Sequence, residues 1–384
     1  MLGMSLKKDI VLACEIYPPD IGGPATYAYE LREQLLLKGF TVTLLTFSDK
    51  LRAEGIQGEK IVAVSRKGNV LRRSIRYGWK LFDLANKGST IYAMGPVASG
   101  LLSVIIGRLK RCKVIVRIPG GRAWETHCQR ASVPERFEEF QRKSHKGWVR
   151  ILEIIERYVV KNADHIVVPS NFLKNIVKDW GAHEDRLTVI PNAINTPISK
   201  QPHKEESLSI LAIGRLVPWK GFSDLIQAFQ TVMRSHPQAT LTIVGDGPER
   251  AYLEKLARET NVAAHARFIG LVPRENLSRY WQDATVFALP SGYEGFPHLV
   301  LEAWAAGVPV VVSDIPGNTC IVRNGENGLV VPYQDSAALS NGLMALLLDA
   351  HLRERLRNNG RESLSQYRWE RIIGEIITLL NFLQ

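Results

Sequence analysis

LPSGYEGFPHLVLEAWAAGVPVVV, residues 289–312, reads as a short loop, a helix and a buried strand. Ser291, Gly292 and Tyr293 form the loop, with Glu294 and Gly295 at its end. Pro297 suits the first helical position, because proline has no N–H to leave unpaired there. The helix LVLEAWAA stops at Gly307, Val308 and Pro309 and yields to the β-branched run 310–312. A helix N-terminus attracts anions, since its N–H groups lack intrahelical partners and its dipole favours negative charge. Glu294 and Glu302 bracket that terminus, one in the loop and one a turn inside the helix. A carboxylate beside an anion repels it, so these two are better suited to accept hydrogen bonds from neutral hydroxyls. Phosphate with hydroxyl acceptors on either side describes a nucleotide diphosphate-sugar. The plainer alternative is a surface helix with two solvated glutamates.

Outward from this stretch, the second half of the chain alternates strand and helix. Runs at 208–213, 241–245, 268–271, 286–289, 310–313 and 329–331 read as strands. The first is followed by GRLVPWKGFSDLIQAF, which puts Arg215 and Lys220 in one loop just before a helix. An Arg fork and a Lys point charge in such a loop suit a diphosphate, or else form a solvated loop. From Asp335 onward the chain reads as helices, the last being the apolar WERIIGEIITLLNFL, able to pack on both domains.

The first half shows the same alternation, with strands expected at 10–13, 41–47, 60–65, 90–93, 114–118, 165–168 and 187–190. This is the pattern of a parallel sheet with helices on both faces. Gly22 and Gly23 follow the first strand and precede a helix, where a backbone can approach phosphate closely or simply turn. The spacing is not that of a dinucleotide fingerprint. Residues 120–147 are a long charged connection after a strand, and read as an acceptor-site loop or lid. Residues 196–207, TPISKQPHKEES, read as a linker between domains 1–195 and 208–365, with 366–384 as a final helix.

Charge is uneven. Residues 1–200 carry 32 Lys and Arg against 19 Asp and Glu, and the remainder 17 against 19, so the net +11 lies entirely in the first half. Such asymmetry points to an anionic partner. Residues 70–86 place Leu71, Ile75, Trp79 and Phe82 on one helical face, with Arg72, Arg76 and Lys80 on an adjacent one. A second apolar helix runs into Arg108, Lys110, Arg111 and Lys113. Two readings stand: core-facing helices with solvated basic sides, or elements lying on an anionic membrane.

With 384 residues, 45% of them hydrophobic and 23% charged, the chain is that of a two-domain globular protein. No apolar run approaches the ~18 residues of a membrane span. Lys7 and Lys8 precede only a short apolar run, which reads as a first strand rather than a signal peptide. Cys14, Cys112, Cys128 and Cys320 show no ligand spacing, so a cytoplasmic chain without a zinc site is expected. No nucleic-acid motif accompanies the basic charge.

The stretch SGYEGFPHLVLEAWAAGVPVV, preceded by Gly214-Arg215, Lys220-Gly221 and Gly245-Asp246-Gly247-Pro248, resembles the retaining glycosyltransferases of the GT-B fold, family four. The resemblance implies two Rossmann-like domains facing a cleft, with the C-terminal helix crossing back to the first. It implies a UDP- or GDP-sugar donor whose diphosphate is held by Arg215 and Lys220. Glu294 would meet the transferred sugar, Glu302 the ribose, and the backbone of Ile269, Gly270 and Leu271 the base. Gly22, Gly23, Gly214, Gly295, Phe296, Pro297, His298 and Leu299 would line the donor. Retention would follow from same-face attack through an oxocarbenium-like state. No Asp-x-Asp occurs anywhere, so fixed cations rather than a metal would stabilise the leaving group.

The chain departs from the family pattern in two places. Where many relatives carry His or Asp after the strand 114–118, it reads Arg117-Ile118-Pro119-Gly120-Gly121. Either His127 or Glu125 substitutes, or the acceptor site built around Gly121 and Arg122 is altered. Cys320 stands where relatives often have Glu. The expected function is therefore sugar transfer to a glycan or lipid-linked acceptor, at the inner face of the cell membrane. The alternatives are a non-catalytic binding subunit of the same fold and a nucleotide-sugar epimerase.

Overall fold

The computed structural model describes residues 9–20, 22–49, 60–129, 135–195 and 207–383. Of the expected linker at 196–207, only Ser207 lies among them. The chain divides into two units. The first gathers Met1–Glu125, Ser144–Ala193 and Trp369–Gln384, and the second Thr126–Lys143 and Ile194–Arg368.

The first unit is built on seven parallel strands: β1 (Asp9–Cys14), β2 (Thr41–Phe47), β3 (Lys60–Val64), β4 (Thr90–Met94), β5 (Lys113–Arg117), β6 (His165–Val168) and β7 (Leu187–Val189). Their order is β3-β2-β1-β4-β5-β6-β7. The second unit has six parallel strands: β8 (Ser209–Ile213), β9 (Thr240–Val244), β10 (Ala266–Gly270), β11 (Val286–Leu289), β12 (Val310–Ser313) and β13 (Leu329–Val331), in the order β10-β9-β8-β11-β12-β13. Every strand expected from the sequence is present, with ends shifted by a residue or two. Runs such as Val310–Ser313 are legible because they are buried on both faces and therefore apolar throughout.

In each sheet the strand order reverses direction once, between β1 and β4 and between β8 and β11. Connections from the two strands at such a point leave in opposite directions, which opens a crevice at their carboxyl ends. In the second unit that crevice lies where the loops after Ile213 and Leu289 emerge. Two apolar clusters cover the sheet, one packing Phe222, Leu225 and Leu343, the other Trp281, Val300 and Trp304.

The C-terminal helix Trp369–Phe382 belongs to the first unit. Trp369, Ile372, Ile373 and Ile376 are buried in that unit's core. Trp369 donates from Nε1 to Glu30 Oε2 at 2.8 Å and packs on Tyr27 with 5.3 Å between centroids.

Two expectations change. Residues 120–147 do not form a plain loop. They contain the helices Arg122–Cys128 and Phe137–Gln141, and the segment Thr126–Lys143 groups with the second unit although the sequence places it in the first domain. Trp124 with Cys128, and Phe137 with Phe140, are buried at helical spacing, a signal masked by the surrounding charge. The helix Val70–Leu84 does not turn its apolar face to the core. Tyr77 and Leu81 are its buried residues, whereas Leu71 is 68% and Trp79 67% exposed.

Candidate functional site

At the reversal point of the second sheet, two loops are pressed backbone to backbone. Gly221 has a left-handed φ of 68°, and a Cβ there would lie 2.1 Å from Pro290 O. Gly292 donates its N–H to Trp219 O at 2.7 Å. Gly245 sits so close to Gly214 that a Cβ would come within 1.9 Å of its carbonyl oxygen. These glycines are what allow Arg215 and Lys220, after β8, to share a crevice with the loop after β11.

The contact this makes is charged. Lys220 Nζ lies 2.5 Å from Glu294 Oε1, and both side chains are largely shielded from water. Ser291 Oγ donates to the same Glu294 oxygen at 2.8 Å. Ser291 is held in turn by Ser313, whose hydroxyl donates to Ser291 O. Glu294 is also fixed through its backbone, because a Cβ on Gly317 would fall 1.8 Å from its carbonyl oxygen. Cys320 ties to the same turn by donating its thiol to Gly317 O at 3.0 Å. Arg215 is exposed.

Pro297 is the residue before the helix rather than its first residue, a shift of one, and the helix runs His298–Ala306. The His298 amide is already satisfied by Phe296 O at 2.9 Å, which turns the chain into the helix. Gly307 closes the helix in the left-handed conformation, as the sequence indicates. Glu302, one turn in, is buried. His298 Nε2 stands 3.5 Å and Arg274 Nη2 3.7 Å from its Oε1. Burial, the largest influence, pushes the Glu302 carboxyl up, but the His298 ring and Arg274 guanidinium outweigh it and hold the group below the usual carboxylate range. Nothing in the sequence marks Arg274; it lies in a loop far from Glu302 along the chain, and only the fold joins them.

Gly270 ends β10 with a φ of 82° and accepts a hydrogen bond from Gly245 N at 2.9 Å. Ile269 and Leu271 beside it are exposed, Leu271 by 62%, which leaves apolar surface at a strand end. Phe296 packs edge-on against Tyr367, and its neighbours Gly295 and Pro297 are buried. Leu299 is half-buried on the helix's first turn.

The remaining candidates lie in the first unit, except His127. Gly22 precedes the helix Gly23–Leu37 with a φ of 153°, a conformation that favours glycine. Gly121 accepts from Glu125 N at 3.1 Å, opening the helix Arg122–Cys128. The amides of Arg122 and Ala123 donate to Glu156 Oε1 at 2.5 and 3.2 Å. Glu156 therefore caps this short helix from another element, a role its sequence position does not reveal. Burial raises its carboxyl to about 8, against the lowering effect of those two amides. Glu125 pairs with Arg122 at 3.4 Å. His127 groups with the second unit, 3.4 Å from Glu135 and packed on the Phe140 ring.

Comparison with known proteins adds an independent line. Residues 21–197 match the model described as Glycosyltransferase Family 4, and residues 194–363 the model described as Glycosyl transferases group 1. The chain is 31% identical over 238 residues to a glycogen synthase of Mycobacterium tuberculosis, covering 59% of this chain and 58% of that one. It is 32% identical over 235 residues to the lipopolysaccharide core biosynthesis glycosyltransferase LpsE of Rhizobium meliloti, covering 57% of this chain and 65% of the relative. The matched stretch thus spans about three fifths of these curated relatives. The structure superposes on Anabaena HepE, solved in complex with UDP and glucose, with a TM-score of 0.79 and 18% identity, covering 98% of this chain and 100% of that one. The fold is GT-B.

Proposed function

This chain belongs to the group 1 glycosyltransferases of family four, and on that premise we propose that it moves a sugar from a UDP- or GDP-sugar to a glycan or lipid-linked acceptor. The observation that carries the proposal is the Lys220–Glu294 pair at the reversal point of the second sheet, with Arg215 in the same loop. In this reading the bond between the sugar's C1 and the phosphate oxygen breaks, and the acceptor hydroxyl oxygen forms the new bond to C1 on the same face. Its proton passes to the departing phosphate oxygen, and configuration is retained. Arg215 and Lys220 stabilise the charge growing on the diphosphate without a metal. Glu294, oriented by Ser291, accepts from hydroxyls of the transferred sugar. Glu302 accepts from the ribose, and the exposed surface at Ile269 and Leu271 meets the base.

Mass-spectrometric screening of a panel of nucleotide-sugars tests the donor claim, and the anomeric configuration of the product by NMR tests retention. Protein that binds no nucleotide-sugar would reject the reading. Binding without transfer or hydrolysis would leave it a binding subunit.

We further place the acceptor side at an anionic membrane surface. No helix among the described residues is long and apolar enough to cross a membrane. The support is a surface: the helices Val70–Leu84, Ala98–Lys110 and Gly147–Asn162 are neighbours in one layer of the first unit. They expose Leu71, Ile75, Trp79, Leu109, Ile151 and Ile154. Arg72 and Lys80 are exposed on the same layer, and Lys110 Nζ sits 3.8 Å over the Phe82 ring. Apolar side chains rimmed by cations suit the headgroup region of an anionic bilayer.

A further inference from the structure

The loop from Ser291 to Gly295 carries the carboxylate at the centre of the site, and its position is set by contacts on several sides. Trp219 O, the Ser313 hydroxyl and the close approach of Gly317 are among these contacts. Another comes from a segment far upstream. Phe137, fully buried, packs its ring on Tyr293 with 4.7 Å between centroids and 34° between planes. Tyr293 is the residue immediately before Glu294. Next to Phe137, the Arg136 guanidinium lies 5.7 Å over the Tyr333 ring. Tyr333 in turn abuts Gly292, where a Cβ would lie 2.4 Å from the tyrosine hydroxyl. Two consecutive residues thus brace one loop at Tyr293 and at Gly292.

The brace is itself fastened. Glu135 pairs with Lys143 and stands 3.4 Å from His127, whose ring packs on Phe140 at 5.3 Å. Cys128, buried, donates its thiol to Glu135 O at 3.7 Å. A ring packed in this way limits the rotamers open to Tyr293, which is joined directly to the backbone from which Glu294 projects. None of the bracing residues Phe137, Arg136 and Tyr333 belongs to the loop that carries Arg215 and Lys220.

We propose that Phe137 is a positioning residue for Glu294, so that a segment from the first half of the chain sets how the second unit recognises the transferred sugar, separately from how it holds the nucleotide. This rests on the reading of Glu294 as the carboxylate that meets the sugar.

Calorimetric titration of the full chain with UDP and UDP-glucose, and with GDP and GDP-mannose, tests it. The ratio of nucleotide-sugar to nucleotide affinity reports the sugar's own contribution. In Phe137→Ala and Phe137→Leu that ratio should fall at least tenfold, while affinity for the nucleoside diphosphate changes less than threefold; Phe137→Tyr should restore the ratio. Phe137→Leu keeps the apolar volume and serves if the alanine variant does not fold. A wild-type ratio in both variants overturns the proposal, as does an equal loss of both affinities. Glu294→Gln separates the two levels. If it loses the ratio and the Phe137 variants keep it, only the positioning claim fails. If it keeps the ratio, or if wild-type protein binds none of the four probes, the sugar-site reading fails and takes this inference with it.

Discussion

Lys220 Nζ and Glu294 Oε1 lie 2.5 Å apart in a largely shielded crevice, so the cation read as a diphosphate ligand is already held by the carboxylate read as a sugar ligand. In the proposed donor site, an incoming diphosphate would share Lys220 with Glu294. The pairing fixes the ammonium in place beforehand, which is what electrostatic stabilisation of a leaving group requires. Lys220→Ala should lower kcat by on the order of 100-fold, as removal of one preorganised charge typically does. Glu294→Gln keeps the shape but frees the lysine; nucleoside diphosphate should then bind as tightly as before or tighter, while transfer is lost. Steady-state kinetics with unchanged kcat in a folded Lys220→Ala protein would remove this site from the reaction.

The Glu302 group makes a separate prediction. Its carboxyl is buried between His298 and Arg274 and is held below the usual carboxylate range. Hydrogen bonds to charged groups contribute ~1.5–3 kcal/mol, so Glu302→Gln should weaken nucleotide binding by roughly ten- to a hundredfold and leave kcat nearly unchanged. Arg274→Ala should weaken it less, since Glu302 keeps His298. Because the folded-state carboxyl is lowered, the stability it contributes is present above the ordinary carboxylate range and is lost as pH falls through the lowered value. A kcat loss in Glu302→Gln equal to that of Lys220→Ala would count against a ribose role.

Glu156 reverses that sign. Burial raises its carboxyl to about 8 in the folded chain, above its unfolded value. The folded state therefore binds the extra proton, and stability present at acid pH is lost as pH rises toward 8. Glu156→Gln carries no charge and can still accept from an amide of Arg122 or Ala123. Thermal melts should show the wild-type Tm falling between pH 5 and pH 8, with the variant flatter and the higher of the two at pH 8. The gap should be a few degrees, given ~2–4 °C per kcal/mol in domains of about 200 residues. Parallel curves for the two proteins would show that this carboxyl is ionised throughout.

The sequence carried the strands and the motif because both are local. A strand buried on both faces is apolar along its whole length, and the stretch from Ser291 to Glu302 is continuous. Contacts made only by topology were not visible. Lys220 meets Glu294 across 74 residues, and Arg274 reaches Glu302 from another strand's loop. Phe137 was hidden for a different reason, since its neighbours Glu135, Arg136, Glu138 and Glu139 make the segment read as a solvated loop. The periodicity of residues 70–86 groups Leu71, Ile75, Trp79 and Phe82 on one face, yet the helix buries Tyr77 and Leu81 instead, because a hydrophobic period cannot say whether anything covers a face.

That uncovered face leads to the last prediction. Charge alone would predict membrane binding that vanishes with salt, because exposed cations are screened within ~8–10 Å at physiological ionic strength. Exposed Leu71, Trp79 and Leu109 add an insertion component that salt does not weaken. The two contributions can be separated by mutation. Arg76 is a poor probe, because it donates to Ser65 O at 2.9 Å and its loss would loosen the turn before the helix. Arg72→Gln, Arg73→Gln and Lys80→Gln together remove three cations, each contributing ~1 kcal/mol near an anionic surface. In co-sedimentation with phosphatidylglycerol vesicles, wild-type protein should pellet at low salt and partly resist release at high salt. The triple variant should pellet weakly at any salt. Leu71→Ser with Trp79→Ser should pellet at low salt and be released completely at high salt, with nucleotide-sugar affinity unchanged. Wild-type protein that stays in the supernatant at low salt would end the membrane claim and leave the transfer claim standing, since the two rest on different units of the chain.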